Sequence, residues 1–126
     1  MNIAYISQST VPSDKANSVH VMKMCQAFSA NGHTVTLFSI KGYDIDNLYE
    51  YYGVTDSFRI INIKIPKFLI RGKGLYYSLK IKRCILKNSN YDLLYGRFLK
   101  SLLMFKKLNI PIIYESHALK TSRDRF

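Results

Sequence analysis

Six positions in this chain have side chains suited to meeting a charged or hydroxylated ligand, and they fall in three short segments. The first is Ala16-Asn17-Ser18. The second is Arg97, in the run YGR. The third is Glu115 and His117, in the run ESH. An imidazole titrates near neutrality, so His117 suits acid–base work or a hydrogen bond to a hydroxyl or a phosphate. The alternative for a lone histidine is a purely structural role. Arg97 offers a planar fork of donors that can pair with a phosphate or a carboxylate, or form an ion pair with Glu115. Glu115 can orient a ligand or hold nearby backbone. Ala16, Asn17 and Ser18 precede a helix, and small residues there leave room for an anion on the free N–H groups of the first turn. The alternative is a plain cap, with Ser18 or Asn17 accepting from those N–H groups.

The rest of the sequence narrows the chemistry. There is no GxGxxG and no GxxxxGK[ST] in the first loop, so neither the dinucleotide fingerprint nor the Walker loop is present. His20, at a helix start, and His33, in a turn, read as structural. Cys25 and Cys84 lie in apolar helical patterns without CxxC spacing and read as buried thiols. No metal-ligand spacing and no Ser/His/Asp constellation stands out. No acidic cluster follows the first strand, which disfavours a receiver-like domain.

Three segments so far apart can act together only if the fold gathers them. Met1 to Ser39 reads as strand, loop, helix, tight turn, strand. Ile3, Ala4, Tyr5 and Ile6 form a strand apolar on both faces, as in a buried parallel sheet. Gln8 to Asn17 is polar, contains Pro12 and reads as loop. Val19, Met22, Cys25 and Phe28 then recur at helical spacing, and Asn31-Gly32 ends the helix with Gly32 in the left-handed position. Val35, Leu37 and Ile40 resume a strand. A short helix is expected from about Asp46, a third strand over Ser57 to Ile65, and a helix over Leu75 to Lys87. That helix carries two rows, Leu75/Leu79/Lys82/Leu86 and Ser78/Ile81/Ile85. A fourth strand over Asn90 to Tyr95, a helix over Arg97 to Leu108 and a fifth strand opened by Pro111 complete the pattern. Strands alternating with helices predict a doubly wound α/β parallel sheet with right-handed crossovers. In such sheets ligands sit beyond the carboxyl ends of the strands, where all three segments are expected to meet.

Composition sets further bounds. At 126 residues the chain is at most one domain, and 48% hydrophobic content is ample for a core. No apolar run approaches the ~20 residues of a membrane span. No basic-then-apolar leader pattern is visible, which reads as a cytosolic chain. The net charge of +11 suggests an anionic partner, although the lysines are spread over several helices. Nucleic acid is disfavoured, because there is neither a recognition-helix signature nor an aromatic-basic RNA motif.

The run PSDKANSVHVMKMCQAFSANGHTVTLFS (Pro12 to Ser39) resembles the amino-terminal signature of retaining glycosyltransferases of family 4, the group-1 type with the GT-B fold. YDLLYGR (Tyr91 to Arg97) and PIIYESH (Pro111 to His117) resemble that family's later strand-end motifs, in the same order. Thr34 stands where the family often has an acidic residue. The resemblance implies a Rossmann-like doubly wound sheet that is part of the amino-terminal half of a GT-B fold. It implies transfer of a sugar from a nucleotide-sugar to a glycan or lipid-linked acceptor, with retention and with no metal or resident cofactor. By position, Ala16, Asn17 and Ser18 would lie beside donor diphosphate and acceptor, His117 would be catalytic, and Arg97 and Glu115 would support the substrate. Residues 1–126 would form an incomplete acceptor-side domain, inactive until joined by a carboxy-terminal donor domain or a donor-binding subunit. The basic loop Pro66 to Gly74 would suit an anionic membrane surface. The enzyme would then be cytoplasmic and peripheral at the inner membrane face, as in synthesis of cell-envelope polysaccharide. The alternative reading is a non-catalytic Rossmann-like module that binds another anion or a partner protein.

Overall fold

The computed structural model describes residues 1–87 and 90–116. Five strands form one all-parallel sheet: β1 (Asn2–Val11), β2 (Thr34–Lys41), β3 (Arg59–Ile63), β4 (Leu93–Gly96) and β5 (Ile112–Tyr114). Their spatial order is β3-β2-β1-β4-β5. The chain winds outward from β1 to β3, then crosses back to place β4 on the other side of β1. The order therefore reverses between β1 and β4, which makes their carboxyl ends the topological switch point.

Two faces of the sheet are covered separately. Tyr5, Val35 and Leu37 face helix α1 (Ala16–Ala30), whose Val21, Met22 and Cys25 are buried against them. The short helix α2 (Leu48–Tyr52) extends this layer through Tyr52, with Asn47 capping it by accepting from the N–H groups of Tyr49 and Glu50. Ala4, Ile6, Phe38 and Leu94 face the other way, onto α3 (Lys73–Lys87) and α4 (Leu99–Met104). Strand β1 is paired on both edges and covered on both faces, which is why Ile3 to Ile6 can all be apolar. Of the two apolar rows on α3, Ser78/Ile81/Ile85 is buried, whereas Leu75, Leu79 and Leu86 are exposed. Tyr77 joins the buried row and donates from its hydroxyl to the Ser7 carbonyl.

Helix α1 ends as its sequence predicts. Gly32 has φ +92°, its N–H bonds the Ser29 carbonyl, and the His33 N–H reaches back to the Phe28 carbonyl. His33 then meets the amino terminus at 3.2 Å, a structural contact. Gly96 has a different reason. A Cβ there would stand 2.1 Å from the Ile6 carbonyl oxygen, inside the β1–β4 ladder.

Several boundaries differ from expectation. Strand β1 runs on to Val11 instead of ending at Ser7, after an irregularity between Ile6 and Thr10. The apolar side chain of Val11 is buried, and its carbonyl accepts from the Asn62 side chain, so the segment stays beside β2. The loop is thus shorter than Gln8 to Asn17. Strand β3 is confined to Arg59–Ile63, inside the expected Ser57 to Ile65. The expected helix over Arg97 to Leu108 is α4 followed by a 3₁₀ turn (Lys106–Leu108), closed by Asn109 at φ 57°. Among the described residues no helix is long and apolar enough to cross a membrane.

Candidate functional site

The switch point holds a polar cluster assembled from three elements. Arg97 follows β4, Glu115 follows β5, and His20 lies in the second turn of α1. Arg97 Nη2 donates to Glu115 Oε1 at 2.8 Å and meets His20 Nε2 at 2.9 Å. An arginine has no acceptor, so in this contact the His20 nitrogen accepts. Tyr95, on β4, donates its hydroxyl to Glu115 Oε2 at 2.5 Å. One carboxylate thus accepts from an arginine and a tyrosine, and it lies 3.6 Å from His20 Nε2.

These contacts set the ionisation of the cluster. Partial burial favours the neutral acid of Glu115. The hydrogen bonds from Tyr95 and Arg97, together with the charge of Arg97, outweigh it and hold the carboxyl below its ordinary value. Burial, then the bond to Glu115, pushes Tyr95 up to about 12. Beneath the cluster Tyr5 is fully buried, its ring 5.1 Å from that of Tyr95, and its hydroxyl has no hydrogen-bond partner among the described residues. Arg97 Nε is likewise buried without a partner among the described residues. Both protons on Arg97 Nη2 are committed, so the guanidinium is held in one orientation from one side only.

The helix start behaves differently from its expected cap. Lys15, extended at φ −75° and ψ 143°, is the N-cap residue of α1, and its side chain makes no capping hydrogen bond. Ser18 is no cap: its side chain is buried and turned inward. Its hydroxyl donates toward the carbonyls of Lys15 (2.8 Å) and Ser13 (3.2 Å) and lies 3.0 Å from the Tyr52 hydroxyl. Tyr52 also accepts from the Ser13 N–H at 2.9 Å. The burial of Tyr52 under the loop thus recruits Ser18 to hold the loop's shape and removes it from any ligand. Ala16 and Asn17 remain exposed on the first turn. They lie three and four residues before His20 and so share its side of the helix.

The structure therefore brings together Arg97 and Glu115, as an ion pair. It adds His20, which sequence reasoning had set aside as structural, and Tyr95, which had been noted only as a strand end. The signal for His20 was its nearness to the start of the helix that leaves the central strand. His117 lies outside the described residues. Among the described residues no group of three or more His, Cys, Asp or Glu side chains is arranged to hold a metal ion.

A cleft of about 740 Å³ opens at the same edge of the sheet but on its α3 side. It does not contain the cluster; Phe98, in its wall, adjoins Arg97. The loop between β3 and α3 rims this cleft and carries Phe68 and Ile70, which are 83% and 87% exposed.

A sequence model of Glycosyltransferase Family 4 matches residues 18–125. The chain belongs to glycosyltransferase family 4. Among solved structures, this family-4 chain is similar to the C-terminal domain of a hydrogenase from Pyrococcus furiosus, at 14% identity and a TM-score of 0.61, with 91% of each chain covered. A second structure of that domain gives 16% identity and a TM-score of 0.59 over 90% of each chain. The chain is also similar to a UGT transferase from Siraitia grosvenorii in complex with UDP, at 12% identity and a TM-score of 0.59. That match covers 89% of this chain and 27% of the plant enzyme, so the family-4 chain spans about a quarter of its length. At these identities the likeness is one of fold, a Rossmann-like α/β sheet. No curated protein matches the chain.

Proposed function

We propose that the chain is the acceptor-side domain of a glycosyltransferase that moves a sugar from a nucleotide-sugar to a glycan or lipid-linked acceptor. The observation that carries this reading is the family match over residues 18–125. The cluster of His20, Arg97 and Glu115 supports it by its position, since the switch point of a doubly wound sheet is where such folds bind ligands. In this reading the donor is held mainly by a second domain or subunit. The exposed N-terminal turn of α1, with Ala16 and Asn17, faces the donor's diphosphate, whose negative charge that turn favours. Arg97 approaches the substrate with its uncommitted donors while Glu115 and His20 hold it in place. His117, next along from Ser116, is the proposed group at the reacting sugar. No resident cofactor or metal is invoked, and transfer proceeds with retention. The setting is the cytoplasmic face of the inner membrane, in envelope polysaccharide synthesis, with the exposed Phe68 and Ile70 and the flanking Lys67 and Arg71 meeting anionic lipid.

The test is sugar transfer by the full-length protein, with a panel of radiolabelled nucleotide-sugars and an acceptor extract from its own cells. Transfer into a glycan or lipid fraction is expected, with Arg97→Ala lowering the rate by about a hundredfold and NMR of the product showing the donor's anomeric configuration. Absence of transfer from every donor would overturn the reading. Sedimentation with vesicles tests the membrane part: equal binding to neutral and anionic vesicles would remove it.

A further inference from the structure

The charge of the chain is divided between its two halves. Residues 1–56 carry three Lys or Arg and five Asp or Glu. Residues 57–114 carry thirteen Lys or Arg and one acidic residue, Asp92, so the cationic excess lies in the segment that builds α3 and α4. Neither helix contains a carboxylate. The two helices are neighbours, joined by a buried hydrogen bond of 2.5 Å between the hydroxyls of Ser78 and Ser101. Among the described residues no cation of either helix is ion-paired. Such a layer repels itself, and an anionic partner laid against it relieves that repulsion.

An apolar stripe runs through these cations. Leu75, Leu79 and Leu86 are 58%, 51% and 57% exposed. With the half-buried Lys82 they are spaced by four, three and four residues, which is the seam of a coiled coil. The broad apolar face of α3, with Tyr77, Ile81 and Ile85, is already spent on the sheet. Lys80, Arg83 and Lys87 each follow a seam residue by one position, so they flank the stripe along one side.

This shape selects the occupant. A helix lying on a bilayer sinks a broad apolar face, whereas this stripe is one residue wide and interrupted by Lys82. Phe68 and Ile70 precede the start of α3, and Leu86 lies about 16 Å along the helix from Leu75, at the end that leads into β4. A second copy of α3 would set cations against cations. A helix with its own seam of apolar residues and carboxylates beside it meets both the spacing and the charge. Lys82, inside the seam, calls for a carboxylate at the facing position and so fixes the register.

We propose that this stripe docks an acidic amphipathic helix of a partner protein, its apolar residues packing on Leu75, Leu79 and Leu86 and its carboxylates meeting Lys80, Lys82 and Arg83. The surface goes beyond the transferase reading and does not rest on it, because α3 and α4 cover the opposite face of the sheet from α1 and His20.

The experiment is fluorescence anisotropy of labelled synthetic helices of about three heptads, titrated with the full-length protein. The first has leucine along its seam and glutamate beside it. The second has lysine in place of glutamate, and the third keeps the glutamates but moves the leucines off the seam spacing. The first is expected to bind at least about tenfold more tightly than either control. Leu79→Lys/Leu86→Lys should weaken it by at least about tenfold although it adds two cations, with an unchanged thermal melt as the control for folding. Lys82→Glu should weaken it about tenfold, and a helix carrying lysine opposite position 82 should recover the loss. Equal binding of the acidic and basic helices would overturn the proposal. So would binding that Leu79→Lys/Leu86→Lys leaves unchanged or strengthens, since charge attraction alone would then account for it. Two further measurements on the same variant decide between occupants. Loss of binding to phosphatidylcholine vesicles containing phosphatidylserine would assign the stripe to a membrane, and loss of a concentration-dependent dimer in sedimentation equilibrium would assign it to a second copy; either overturns the proposal. Vesicle binding and mass that the variant leaves unchanged support the acidic helix.

Discussion

Replacing Glu115 by alanine removes the acceptor on which the switch-point cluster converges. Arg97 loses its 2.8 Å ion pair and Tyr95 its 2.5 Å hydrogen bond. The two charged side chains are 28% and 24% exposed, so the pair lies between surface and interior. Exposed pairs contribute about 0.2–1 kcal/mol, and breaking a buried one costs about 3–5 kcal/mol. With roughly a quarter of each side chain wet, solvent screening reduces the loss to about 2 kcal/mol, which would lower the melting temperature by about 8 °C in a domain of this size. Urea unfolding at neutral pH measures the loss, and a double-mutant cycle with Arg97→Met isolates the pair, with an expected coupling of about 1 kcal/mol. The pH dependence carries the same signature. Burial opposes ionisation of Glu115, but the bonds from Tyr95 and Arg97 prevail and its native value falls below the ordinary 4.5. Its contribution is therefore fully present above pH 4.5 and is lost as pH drops through the depressed native value. In Glu115→Ala this part of the acid limb should be absent. A loss under about 0.5 kcal/mol, with no coupling to Arg97, would show that solvent already screens the pair and would refute the reasoning.

Other positions give further tests. Gly96→Ala places a Cβ 2.1 Å from the Ile6 carbonyl, an obstacle that can move only by opening the β1–β4 ladder; a loss of about 2 kcal/mol or more, or insoluble expression, is expected. Ser18→Ala removes the hydroxyl that ties Ser13, Lys15 and Tyr52 together, and urea titration should show a cost of about 1–2 kcal/mol. On α3, Ile81→Ala should cost about 2–5 kcal/mol, whereas Leu79→Lys should stay within about 0.5 kcal/mol, since only the first is buried. Iodoacetamide should label the half-buried Cys84 before Cys25, whose thiol is buried and pushed well up by that burial; peptide mass mapping reads the order.

The alternation of strand and helix, the parallel sheet and the left-handed stop at Gly32 were legible in the residues themselves. Each depends on neighbours within a few positions: apolar spacing of two or of three to four, or a glycine after the last helical turn. The strand-end rule also placed Arg97 and Glu115 at one edge, because it needs only the order of elements. Tertiary packing decided the rest. Apolar spacing on α3 marked two rows equally well, and only docking on the sheet buried Ile81 and Ile85 and left Leu79 and Leu86 in water. Ser18 looked like a cap until Tyr52, 34 residues on, drew its hydroxyl inward. His20 looked structural until the crossover brought Arg97, 77 residues on, against its Nε2. The lysines of the cleft, Lys41, Lys64, Lys67 and Lys73, come from the end of β2, the loop after β3 and the start of α3, and the parallel sheet brings these to one edge. Local sequence sets which elements form. Which side chains then meet across them depends on strand register and helix docking, and those follow from burying the whole core at once.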